Sequence, residues 1–286
     1  MLAKRLGGIL PDMSFDEAIE TTKIHSVAGF LSEDESLITH RPFRSPHHTI
    51  SPAGLSGGGT IPRPGEISLA HGGVLFLDEL PEFSRTSLEV LRQPLEDGHV
   101  AVSRAVAACD YPSKFMLVAA MNPCPCGYRN DPMHQCRCSC NSVLKYQSRV
   151  SGPLLDRIDI QLEVPSVNPK DLPFAEPGES SAEIRKRVIA ARAMQEERYR
   201  DLPGVHTNSE VRSRDLVEAC KLASSMKDEL VRMIERLRLS ARAYDKVLRV
   251  ARTLADLDGA EAVRREDLLG AISYRRLDGA GDSFWI

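Results

Sequence analysis

Val74-Leu75-Phe76-Leu77 is an unbroken apolar run that two acids, Asp78 and Glu79, close at once. A strand with one wet face alternates polar and apolar residues. An unbroken run instead predicts a strand covered on both faces, as in a parallel sheet layered between helices. Phe115 to Met121 is a second such run, stopped by Asn122-Pro123. Ile158, Ile160, Leu162 and Val164 keep strict period two and predict a third strand. Between these, Ser84 to Leu95 reads as a helix, and His99 to Cys109 reads as a β-hairpin around Val100, Val102 and Val106. Ser14 with Glu17 forms a capping box that opens a helix over about residues 14–26. Met1 to Leu10 reads as a helix already under way, with Leu2, Leu6 and Ile9 on one face and no capping residue before them. Glu66 to Leu69 reads as a short helix ended by His71-Gly72-Gly73. Strands alternating with helices imply an α/β fold.

Arg41 to Gly65 is loop-like, carrying Pro42, Pro46, Pro52, Pro62, Pro64 and the run Gly57-Gly58-Gly59. A segment this long inside a compact domain is usually functional. Pro165, Pro169, Pro173 and Pro177 mark a linker. Beyond it the pattern is helical, over Ala182–Arg198, Ser213–Ala223, Met226–Arg236, Ala241–Leu257 and Arg265–Tyr274. The expected organisation is an α/β core over 1–165 with a cysteine-rich insertion at 124–140, a linker over 166–180 and a helical domain over 181–286.

A hydrophobic share of 42% suffices for real cores, and a net charge of -3 means that any basic surface is a local patch. No apolar run approaches the roughly 20 residues of a membrane span, and Met1–Leu6 carries no signal-peptide core. The expected location is the cytoplasm, with no membrane partner. In that reducing setting the cysteines clustered between Cys124 and Cys140 point to metal or redox chemistry before disulfides.

Acids at the C-terminal end of a buried strand sit where α/β sheets bind their ligands. There Asp78 can hold Mg²⁺ and Glu79 can act as general base toward water; the plainer alternative is an acidic turn. Asn122 ends the neighbouring run and can orient that water, or can simply make an Asn-Pro turn. Arg157, after Leu154-Leu155-Asp156, can stabilise charge on a neighbouring subunit's nucleotide or make a surface ion pair. Arg242 opens a helix and can reach a γ-phosphate from the second domain. Cys124-x-Cys126 and Cys136-x-Cys138-x-Cys140, with His134 beside them, offer enough thiolates for a tetrahedral Zn²⁺ site, although C-x-C is tighter than the usual C-x₂-C. Free or redox thiols are the alternative, and Cys109 and Cys220 read as ordinary buried residues. His47 and His48, beside Arg41 and Arg44, can contact phosphates of DNA or nucleotide, or pack the loop. Ser103 and Arg104 on the hairpin are further DNA candidates, or a charged edge.

Taken in order, Asp78-Glu79, Asn122, Arg157 and Arg242 resemble Walker B, sensor 1, arginine finger and sensor 2 of AAA+ ATPases. The segments 41–49 (RPFRSPHHT), 62–71 (PRPGEISLAH), 119–127 (AAMNPCPCG), 151–159 (SGPLLDRID) and 239–243 (LSARA) resemble the magnesium-chelatase-like ComM/YifB family over nearly the whole chain. The resemblance implies an AAA+ P-loop core with a C-terminal helical lid, dependent on ATP and Mg²⁺. It implies assembly into a homo-oligomeric, hexameric ring whose hairpins point into a central pore and act on DNA. It assigns Zn²⁺ to Cys124, Cys126, Cys136 and Cys138, with Cys140 and His134 as reserves. The chain departs from the family in one respect. The family carries a Lon-protease-like domain and then a phosphate-binding loop. Met1–Leu6 looks like the helix after that loop, and G-x-x-x-x-G-K-[ST] occurs nowhere in the sequence. The expectation is therefore an incomplete core that hydrolyses ATP negligibly as it stands. Three functions compete: a DNA-remodelling motor of the ComM kind, an ATPase subunit driving magnesium insertion into porphyrin, and a non-enzymatic remnant that assembles with intact partners.

Overall fold

The computed structural model describes residues 2–32, 36–103, 108–131, 133–165, 178–237 and 239–275. The chain divides into two compact units, Met1–Arg157 and Ile158–Ile286.

The first unit opens with a 3₁₀ helix over Ala3–Gly8, none of whose residues is buried. The longer helix expected from residue 1 does not form; Gly7 and Gly8 disfavour it and no cap starts it. Helix α1 (Phe15–Ala28) begins on the expected box, with Ser14 and Glu17 each accepting from the other's backbone N–H, and Gly29 ends it at φ 78°. The segment expected to be a loop carries strand β1 (Phe43–Arg44), helix α2 (Pro52–Ser56) and the short antiparallel pair β2 (Gly57–Gly58) and β3 (Arg63–Pro64). Arg41 pins its start, donating to the carbonyls of Pro11 and Gly72 and to Glu17.

Helix α3 (Glu66–Leu69) leads into strand β4 (Val74–Leu77), as the sequence predicts. A 3₁₀ turn over Leu80–Glu82 follows, then α4 (Arg85–Glu89) and α5 (Arg92–Asp97). These last two were expected as one helix. Pro94 has no N–H for the helical ladder, and the chain breaks just before it. Strands β5 (His99–Ser103) and β6 (Ala108–Pro112) form the expected hairpin, with its tip, residues 104–107, outside the described residues. Strand β7 (Met116–Ala119), helix α6 (Cys140–Gln147) and helix α7 (Gly152–Leu155) complete the unit.

The sheet is parallel, in the order β1-β4-β7. Val74, Leu75 and Leu77 are at most 1% exposed, so the central strand is covered on both faces. Leu75 and Leu77 join Leu55, Ile67, Leu88, Leu91 and Leu154 in one core. Gly73 lets β1 and β4 approach: a Cβ there would lie 2.0 Å from the Pro42 carbonyl oxygen.

Ile158 to Val164 does not form the expected third strand. Ile160, Leu162 and Val164 are 48%, 67% and 72% exposed. The backbone here bonds within the second unit instead, Gln161 N–H to the Tyr274 carbonyl and the Ile158 carbonyl to Arg275. Alternation makes a strand only where a partner edge is available.

The second unit holds α8 (Ser181–Arg198), α9 (Ser213–Cys220), α10 (Ser224–Arg236), α11 (Ala241–Leu257) and α12 (Arg265–Ser273). Val247, Leu248 and Ala251 of α11 lie fully buried among Leu216, Cys220, Leu230 and Leu268. Arg252, also fully buried, pairs with Asp256 and donates to the carbonyls of Ala260 and Glu261. Residues 166–177 of the expected linker fall outside the described residues.

Candidate active site and metal-binding loop

Asp78 and Glu79 leave the C-terminal end of β4, both exposed. The chains beyond β4 and β7 stay joined: Ala120 N–H donates to the Leu77 carbonyl and Leu80 N–H to the Ala120 carbonyl, each at 2.9 Å. Glu79 takes a left-handed backbone, φ 53° and ψ 46°, and its N–H donates to Asp78 Oδ1 at 3.0 Å. Such a conformation in a residue with a Cβ costs on the order of 1 kcal/mol and concentrates at functional sites.

The Glu79 carboxylate is met by a residue from the loop after β1. His48 Nδ1 lies 3.1 Å from Glu79 Oε2, within ion-pair distance. The imidazole packs on His47, with ring centres 4.1 Å apart, and presents its plane edgewise to Phe83. Its backbone is held on either side. Ile50 N–H bonds the His47 carbonyl, Ser87 Oγ bonds the Ile50 carbonyl, and Arg44 makes a two-point pair with Glu66 at 2.6 and 2.7 Å.

Asn122, exposed, follows β7 beside this turn. Tyr146 of α6 is buried. Burial raises the hydroxyl's pKa, Glu82 adds to that, and the Asn122 N–H opposes it. Gln147 Nε2 donates to the Pro123 carbonyl at 2.8 Å. Arg149 reaches Glu82 Oε2 at 3.0 Å and the Pro81 carbonyl, tying α6 to the turn after Glu79.

The structure gives the other candidate residues varied surroundings. Arg157, 10% exposed, pairs with Glu96 at 2.6 Å and donates to the carbonyls of Arg92 and Pro153, all within its own unit. Arg44 is engaged by Glu66 and lies over the Phe30 ring. His47 is exposed, with Nδ1 2.9 Å from Thr49 Oγ1. Arg104 lies outside the described residues. Arg242 is exposed in the first turn of α11, in the second unit.

Cys124, Cys126, Cys136 and Cys138 converge, all four sulfurs within 4.8 Å of one another. The Cys124–Cys126, Cys126–Cys136 and Cys124–Cys136 separations are 3.4, 3.6 and 3.7 Å. Tetrahedral Zn²⁺ with Zn–S of about 2.3 Å has S···S edges of about 3.8 Å, so this donor set fits the ion. Among the described residues no other group of three or more His, Cys, Asp or Glu side chains converges in this way. Tyr128 N–H draws the Cys126 thiol down to about 6, while hydrogen bonding to Cys126 pushes Cys138 up to about 12. His134 stays out of the cluster, its ring on Tyr128 and its Nδ1 near Asp131, and Cys140 begins α6.

A sequence profile described as magnesium chelatase, subunit ChlI, matches residues 1–172, and its C-terminal counterpart matches residues 178–275. The chain belongs to the magnesium chelatase ChlI family. It is 46% identical over 279 residues to the uncharacterized protein YifB of Escherichia coli K12, across 97% of this chain and 54% of that protein. It is 44% identical over 282 residues to the competence protein ComM of Haemophilus influenzae, across 97% and 53%. The chain thus spans about half the length of the curated relatives it matches. Membership in the ChlI family implies an AAA+ fold, and the parallel sheet with a separate helical unit agrees with it. Within the described residues no helix is long and apolar enough to cross a membrane.

Three contacts of this ChlI-family chain were not legible in the sequence: His48 with Glu79, Gln147 with the Pro123 carbonyl, and Arg149 with Glu82. The length of the 41–65 loop was the one signal for the first. Parallel-sheet order, which spacing along the chain does not report, set the rest.

Proposed function

We propose that this chain supplies the catalytic acids of an ATP-driven ring motor that acts on DNA. The observation that carries the reading is the placement of Asp78 and Glu79 at the C-terminal end of a central parallel strand, with Asn122 leaving the next strand beside them. The relative named a competence protein supports DNA as the partner. Asp78 would hold Mg²⁺, which when bound screens phosphate charge. Glu79, oriented by His48, takes the proton of the attacking water, and Asn122 orients that water. Arg157 reaches a neighbouring subunit's nucleotide after leaving Glu96, and Arg242 contacts phosphate from the helical domain. DNA contact falls to Arg104 on the β5–β6 hairpin and to the exposed His47, because Arg44 and His48 have partners inside the chain. The cysteine loop holds Zn²⁺ for structure. Phosphate binding needs a glycine-rich loop with a lysine, and the 286 residues contain none. By themselves they are expected to turn over ATP negligibly.

The family description favours a second reading, an ATPase subunit driving magnesium insertion into porphyrin. In a form of the protein that carries a phosphate-binding loop, DNA should stimulate ATP hydrolysis. Glu79→Gln should abolish turnover while nucleotide still binds. Stimulation by porphyrin and Mg²⁺, with no response to DNA, would replace the first reading by the second.

A further inference from the structure

The metal-binding loop is joined to the strand end that carries Asn122 by two stiff residues and one buried side chain. Asn122, Pro123, Cys124, Pro125 and Cys126 are consecutive. Each proline fixes its own φ and restricts the residue before it to extended backbone. Cys124, the fully buried ligand, therefore stands at a set offset from Asn122. Gly127 N–H closes a turn onto the Cys124 carbonyl at 3.0 Å. On the far side of the loop, α6 starts at Cys140, close after Cys138, and returns to the same place. Its Gln147 donates to the Pro123 carbonyl at 2.8 Å. The Gln147 side chain is buried, at 7% exposure.

We infer that the four-cysteine metal site is a clamp that sets the position of Asn122, with Gln147 as the positioning residue that closes it from α6. This rests on the metal reading of the cysteine cluster and extends it to the nucleotide site. Metal on Cys136 and Cys138 holds the start of α6. Metal on Cys124 and Cys126 holds the segment that α6 grips. Removing the ion frees both ends of one short closed circuit, and Asn122 lies inside it. A loop stapled only for its own sake would have no such reach.

The test is amide hydrogen exchange on the 286-residue chain, zinc-loaded and after chelation, with bound zinc measured in parallel. The expected result is about one zinc per chain. On its removal, exchange should rise about tenfold or more in peptides covering 119–124 and 143–149, on the scale at which residues supporting a metal site act. Gln147→Leu keeps the volume and all four cysteines. It should retain zinc yet raise exchange at 119–124. A preparation without zinc under reducing conditions overturns the metal reading and the clamp with it. Full zinc occupancy, with an exchange change confined to 125–138, overturns the clamp alone. So does a Gln147→Leu chain that keeps its zinc with exchange at 119–124 unchanged.

Discussion

His48 and Glu79 meet from different elements, and their contact makes a residue-level claim that can be measured. His48 Nδ1 stands 3.1 Å from one carboxylate oxygen of a half-exposed glutamate whose backbone is already fixed in the left-handed region. Freed of that contact, Glu79 samples other rotamers, and misplacement of a reacting group by an ångström can cost about 100-fold in rate. In a form with a phosphate-binding loop, His48→Ala is therefore expected to lower kcat about 10- to 100-fold with little change in KM. His48→Asn, which keeps an N–H near the Nδ1 position, should recover most of it. Equal loss in both variants, or an effect on KM alone, would leave His48 as loop packing. The acids themselves were legible in the sequence because a continuous apolar run ending in Asp-Glu has few other uses. Their histidine partner was not, since nothing local says which loop faces a strand end.

At the scale of elements, legibility followed the source of each element's stability. β4, α1 and α11 carry their own signals of burial pattern or cap, and they form where expected. Residues 158–164 carry an equally clear alternation and form no strand, because a strand depends on its neighbour. The single helix expected over 84–95 divides at Val90–Leu91, in the turn before Pro94, whose ring and missing N–H are a local signal that the apolar pattern outweighed in reading. Within α11 a polar network does what apolar packing does elsewhere. Asp256, 2% exposed, accepts from Arg252, Arg198 and Asn208 and so ties α11 to α8 and to the loop after it. Asp256→Ala leaves two guanidinium groups without their carboxylate, and breaking a buried pair this way costs about 3–5 kcal/mol. The urea transition of the helical unit should shift down accordingly. A shift near zero would mean that water replaces the carboxylate at little cost. The buried arginine in this network was invisible in the sequence, where Arg252 reads as an ordinary polar position on a helix.

Across the whole molecule, the residues of the proposed function fall on a parallel-sheet unit bearing Asp78, Glu79 and Asn122 and on a helical unit bearing Arg242. The central claim is that hydrolysis is shared between neighbouring copies. Arg157 is the residue on which that claim turns, because within one chain it is bound to Glu96 and two carbonyls. Either it is released to act on a neighbour's nucleotide, or it is a structural pin. The direct measurement mixes two inactive variants, Arg157→Ala and Asp78→Ala, in a form that carries a phosphate-binding loop. Crosslinking establishes that mixed assemblies form. Each variant alone should lose about 10³-fold or more in ATPase rate, the scale of arginine fingers acting in trans. The mixture should regain activity, since an intact Asp78 site can meet an intact Arg157 on the next copy. Mixed assemblies that stay as inactive as the separate variants would contradict the account.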